Sequence, residues 1–110
     1  MIRIAVLYPN SDGSWFNVEY YKQRHMKLVW ERLGPLGMIG GEVDAGIAGL
    51  DGTRAPYAAI GYLIFETLAQ FQSAFAKVGE ELVADVPNYT NISPVIQISD
   101  SEQIRPPVVA

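Results

Sequence analysis

The stretch NVEYYKQRHMKLV, residues 17–29, carries the only histidine of the chain, four positions after Tyr21. Side chains four apart share a helix face, and an imidazole beside a phenol can do proton chemistry. A neutral imidazole, with an ordinary pKa of about 6.5, can take a proton from a phenol or an activated C–H at neutral pH, while a tyrosine hydroxyl can orient a substrate oxygen. His25 and Tyr21 are therefore the candidate catalytic residues. Candidate ligand contacts come from two loops: Trp15 and Phe16 just before this stretch, and Tyr89 and Asn91 within DVPNYTN, residues 85–91. Each has a plainer reading. His25 can be an interior histidine donating to a backbone carbonyl, and Trp15 can be ordinary shielded packing. Phe16 can staple onto Tyr21 across the helix start, and amide side chains in such loops commonly bond the backbone. Residue types leave both readings open.

The element that must position His25 is a helix expected over about residues 18–33. Asn17 is a competent N-cap, Glu19 suits the positive end of the helix dipole, and no Gly or Pro intervenes before Gly34. Wound at about 100° per residue, it sets Val18, Tyr21, Leu28 and Val29 on one face and the charged residues on the other. His25 falls near the centre of the apolar face. Tyr20 is expected on the polar side, and Arg32 is expected to extend its head to solvent.

At 110 residues the chain is long enough for one domain with its own core. The fold is expected over residues 1–99, followed by a Pro-containing tail over 100–110. With a formal net charge of −4 and no basic stripe, a nucleic-acid partner is not expected. The absence of cysteine removes disulfides and thiolate chemistry, and a single histidine cannot build a multi-histidine metal site. No apolar run approaches the length that spans a bilayer, so a cytoplasmic protein without a membrane partner is expected. No phosphate-binding or dinucleotide-binding glycine motif is present, so no cofactor is expected. The sequons at Asn88 and Asn91 are read as chance matches in a polar loop.

The remaining pattern is regular. Residues 2–8, 57–66 and 92–99 read as strands, residues 39–49 as a weaker glycine-laden one, and Thr67 with Gln70 as a capping box for a second helix that Gly79 should break or kink. The order β-α-β-β-α-β is that of a ferredoxin-like α+β sandwich, a four-stranded antiparallel sheet with two helices on one face. The first and third strands are apolar on both sides, which demands burial on both sides. Two helices cover one face. The other is expected to be covered by a second copy, giving a homodimer.

VLYPN (6–10), YYKQRHMKLV (20–29), PYAAIGYLIFE (56–66), FQSAFA (71–76) and DVPNYTNISPVIQIS (85–99), in this order, make the chain resemble the EthD family, first associated with ethyl tert-butyl ether degradation, within the dimeric α/β-barrel superfamily. The likeness runs from Ile2 to about Ser99. It implies sheet-to-sheet pairing of two protomers and a first-helix histidine pointing into a pocket between helices and sheet, which would hold a small apolar, aromatic or ketide-like molecule. For activity it implies less. Members of the superfamily include cofactor-free monooxygenases, isomerases, cyclases and haem-degrading enzymes, while EthD itself resembles an accessory of a cytochrome P450 oxidation system with no settled reaction, so that a non-catalytic accessory or binding protein of an oxidative degradation pathway stands as the alternative. The haem-degrading relatives place their ligand on the later helix, where this chain has no histidine.

Overall fold

The β-branched run at the N-terminus forms the central strand β1, Ile2–Pro9, in a computed structural model that describes residues 1–105. Part of the expected tail, residues 106–110, lies outside the described residues. The first helix, α1, runs as three segments end to end: α-helical Val18–Tyr20, a π turn over Tyr21–His25, and α-helical Met26–Leu33. Asn17 caps it as expected, its side chain accepting from the Tyr20 amide. A 3-10 turn over Gly34–Leu36 ends in Gly37, whose φ of 116° is left-handed backbone that favours glycine. Then follow β2, Gly40–Ala45, and β3, Tyr57–Phe65. Thr67 caps the second long helix, α2, Leu68–Ala84, by accepting from the Gln70 amide. A 3-10 turn over Val86–Asn88 leads to β4, Val95–Asp100.

The four strands pair antiparallel in the order β2-β3-β1-β4, with both helices on one face, as the ferredoxin-like reading requires. Alternation along the strands decides what each face carries. Ile4, Tyr8, Ala59, Leu63 and Phe65 are buried toward the helices, and Ala5, Leu7, Ile60, Tyr62 and Ile64 lie half-buried on the opposite, open face. Against the helix side, Val29 and Leu33 of α1 and Phe71 and Leu82 of α2 complete the main core with Ile4, Leu63 and Phe65. A second, more aromatic cluster joins Tyr8, Tyr21, Ala59, Tyr89 and Ile92 near the other end of the sheet.

Three expectations are corrected. Gly79 neither breaks nor kinks the second helix. It is buried within α2, where the Phe75 ring lies over it so closely that an added Cβ would sit 2.7 Å from the ring. The second strand ends at Ala45 rather than 49, because the Gly46 amide turns back onto the Ala58 carbonyl and the chain enters a glycine-containing loop. The last strand begins at Val95 rather than 92, since Ile92 is drawn into the aromatic cluster and Pro94 precedes the ladder.

One close approach ties fold to site. Gly61 sits in the middle of β3 facing α1, and the Tyr21 hydroxyl occupies the space that a Cβ on Gly61 would need. Gly61→Ala should therefore displace Tyr21 and destabilise the protein by about 1–3 kcal/mol, the usual range for overpacking. A urea unfolding midpoint equal to that of the parent would show that Tyr21 is not held by this contact.

Candidate functional site

The side chains buried along α1 are Tyr21, His25, Val29 and Leu33, an unbroken series four residues apart. In a regular helix of about 3.6 residues per turn, three steps of four drift about 120° around the axis. One inserted residue, which is what a π turn supplies, removes about 100° of that drift. The turn over Tyr21–His25 thus keeps all four side chains facing the sheet, and it lies at the two residues with chemistry. Their rings stack with centroids 5.5 Å apart and planes at 15°.

His25 is 6% exposed, and its partner is a carboxylate: Nδ1 lies 2.9 Å from Asp85 Oδ2. Asp85 closes the C-terminal end of α2. Its other oxygen, Oδ1, accepts from the Tyr20 hydroxyl at 2.7 Å and from the Asn88 amide at 2.9 Å. Burial alone would push the Asp85 carboxyl up, but the donors from Asn88, His25 and Tyr20 hold it below the usual carboxylate range. Burial lowers the imidazole pKa by more than the neighbouring Asp85 raises it. The pair is therefore a neutral imidazole hydrogen-bonded to an ionised carboxylate at neutral pH. A carboxylate accepts only, so the ring proton is on Nδ1 and Nε2 is left as the basic nitrogen. Among the described residues Nε2 has no hydrogen-bond partner.

His25 stands in the wall of a cleft of about 90 Å³ between α1, α2 and the sheet. Val6, Met26, Leu63, Phe75, Leu82 and Ile96 supply apolar walls, and Tyr8, Tyr21 and His25 line it beside them. Behind His25, Tyr89 is fully buried with its ring centroid 4.6 Å from the imidazole, and its hydroxyl is 2.6 Å from that of Tyr8. Burial raises the pKa of Tyr8, Tyr21 and Tyr89, so all three remain protonated at neutral pH and none is a base there.

The structure thus brings together His25, Tyr21 and Tyr89. Phe16 packs against Tyr21 at 5.1 Å, the staple geometry, and against Tyr8 and Tyr89, as a buttress of the aromatic cluster rather than a wall of the cleft. Trp15 and Asn91 lie elsewhere. The Trp15 side chain is half-exposed, and Asn91 clamps two loops by accepting from the Trp15 amide and donating to the Gly13 carbonyl. Tyr20 departs from its expected place on the polar side, since its hydroxyl turns inward to Asp85 and its ring stacks on Tyr89. Arg32 does reach the surface, where it pairs with Glu81 of α2. Asp85 was not legible as a site residue. The one local signal was an acid at a helix C-terminus, where the dipole disfavours negative charge.

Among the described residues there is no group of three side chains suited to hold a metal ion, and no helix is long and apolar enough to cross a membrane. No protein-family model and no curated protein matches the chain. Solved structures do. An EthD-like protein from Ralstonia eutropha is 36% identical over 90% of this chain and 89% of its own, with a TM-score of 0.84. An ethyl tert-butyl ether degradation (EthD) family protein from Bacillus halodurans is 16% identical, with 93% and 99% covered and a TM-score of 0.72. A dimeric ferredoxin-like protein from an uncultured marine organism, 12% identical with 96% and 100% covered, superimposes at a TM-score of 0.57 and shares the fold.

Two measurements check the dyad. In the NMR titration of the His25 ring, the pKa should lie below the ordinary 6.5 in the parent and lower still in Asp85→Asn, because the lost carboxylate is what favours the charged imidazole. An upward move on removing Asp85 would refute the assignment. For stability, both folded pKa values lie below their unfolded ones. The stabilisation is therefore complete above about pH 6.5 and is lost as pH falls, first as His25 is forced to charge and then, below the ordinary 3.8, as Asp85 protonates. Thermal midpoints that rise as pH drops from 7.5 to 5 would contradict this sign.

Proposed function

The chain belongs to the EthD family, and on that premise we propose that it binds a small, largely apolar molecule in the cleft beside His25 and moves a proton on it without a cofactor. The observation that carries this reading is the 2.9 Å contact between His25 Nδ1 and Asp85 Oδ2 at the wall of an apolar cleft. Asp85 holds the proton on Nδ1, so Nε2 meets the ligand as a base. When Nε2 takes a proton, the imidazolium that forms is stabilised by the carboxylate already bonded to it. Tyr21, and Tyr8 behind it, remain protonated and can donate to the oxygen on which negative charge develops. Isomerase, cyclase and oxygenase outcomes all begin from such an anion, and the substrate's own structure selects among them.

His25→Ala is the test. Asp85 keeps two other donors, and the lost ring borders space that already exists, so the stability cost should stay below about 2 kcal/mol. Native mass spectrometry of protein expressed in its own host should show a co-purified small molecule with the parent and none with the variant. A larger stability loss with unchanged capture assigns His25 to structure.

The same proposal includes a homodimer through the open sheet face. Leu7, Ile60, Tyr62 and Ile64 form on that face an apolar surface too continuous for a lone protomer to leave uncovered. At its rim the Arg3 guanidinium lies 4.0 Å from the Tyr62 ring centroid and pairs with Glu42. Leu7→Asp should split the dimer while leaving the protomer folded, whereas Ile4→Asp, on the helix side and 1% exposed, should unfold it. Light scattering that shows a parent monomer of 12.1 kDa at micromolar concentration would overturn the dimer.

A further inference from the structure

The charge and shape of the cleft restrict what it can accept. No Lys, Arg, Asp or Glu lines it. The ionised group bonded to the imidazole is Asp85, whose carboxylate lies behind the ring and is also bonded to Tyr20 and Asn88. A ligand carboxylate or phosphate placed against Nε2 would find no cation among apolar walls and would face this fixed negative charge across one ring. A ligand cation would find Asp85 screened by the imidazole and its lone pairs engaged. Burying an unpaired charge is costly enough to exclude both. What does suit Nε2 is a neutral O–H donor.

Size supplies the second restriction. An apolar cavity that encloses benzene measures about 150 Å³, whereas this cleft holds about 90 Å³. A ring can enter edge-first but cannot be swallowed. The rest of the ligand must project through the mouth, where Val83 and Ile96 of the cleft lining are 58% and 55% exposed, with Ile98, 45% exposed, two residues beyond Ile96 on the same side of β4. These side chains lie on the helix side of the sheet and still face solvent, so they are the apolar surface that a protruding ligand would cover.

Resting on the proton-transfer reading above, we infer that the substrate is an uncharged phenol or enol, bound with its hydroxyl inward at His25 Nε2 and its apolar body lying outward over Val83 and Ile96. Anionic analogues are excluded by the dyad, and affinity grows with the apolar body outside the cleft.

The test uses the full chain at pH 7.5, titrated with phenol, 4-butylphenol, 4-butylbenzoate and butylbenzene while the His25 ring resonances are followed by NMR. The expected result is that 4-butylphenol shifts those resonances and binds tighter than phenol by roughly fourfold per added methylene that finds contact. The benzoate should bind at least tenfold more weakly than 4-butylphenol, and butylbenzene more weakly as well. Ile96→Asp and, separately, Val83→Asn should remove the gain from the butyl chain, so that 4-butylphenol binds each variant no tighter than phenol binds the same variant; both positions are exposed enough to tolerate a polar side chain. If the benzoate binds as tightly as the phenol and shifts His25, the substrate class is wrong while the His25 site stands. If neither mouth variant changes 4-butylphenol affinity, the outward placement is wrong. If no probe shifts His25, this inference and the site reading beneath it both fail.

Discussion

The carboxylate of Asp85 sits at the C-terminal end of α2, where the helix dipole opposes it, and it is kept there by three donors, two of them side chains of α1. The opposing term is small, about 0.3–1 kcal/mol for a charge at a helix end, whereas hydrogen bonds to a charged group contribute about 1.5–3 kcal/mol each. The donors decide the outcome. One acidic side chain thus links the end of the second helix to the first, orients the sole imidazole, and sets the electrical character of the cleft that the imidazole faces.

The surroundings of this contact are aromatic because they must be dense and only slightly polar. Tyr8 from β1, Tyr21 from α1 and Tyr89 from the turn after α2 meet with ring centroids 5.0–5.9 Å apart. Buried phenols need partners for their hydroxyls, and the Tyr8–Tyr89 pair meets that need internally at 2.6 Å. Gly61 permits the third, since any side chain there would exclude the Tyr21 hydroxyl. The absence of a Cβ at the centre of a strand is a local weakness in the sheet. It is accepted because it seats the ring that stacks on His25.

The π turn belongs to the same arrangement. A regular helix would carry Leu33 well around the axis from Tyr21, leaving one end of the series off the sheet. With one extra residue in the turn, Tyr21 and His25 reach the aromatic end while Val29 and Leu33 reach the main core with Ile4, Leu63 and Phe71. Site and core can then be served by one helix of ordinary length. That the irregularity coincides with the candidate chemistry agrees with the tendency of such turns to occur at functional positions.

Much of this was legible in the residues themselves. Periodicity and caps located both helices, because apolar stripes, Asn17 and the Thr67–Gln70 pattern act locally. Two-sided apolar strands marked a sheet with a second face to cover, and His25 announced itself as an imidazole on an apolar stripe. What the sequence could not reveal is which groups meet across long separations. Asp85 lies sixty residues from His25, and nothing in DVPNYTN distinguishes it from an ordinary polar turn residue until the end of α2 is laid beside α1. Tyr20 is displaced from its helical-wheel position for the same reason, since a hydrogen-bond acceptor on another element outweighs the preference of its own helix. Local propensity settles where chain segments begin, end and face, but hydrogen bonding and desolvation depend on what stands opposite. That is supplied only by the packed tertiary structure, and it is what turned a lone histidine into an imidazole held by Asp85 in the wall of an apolar cleft.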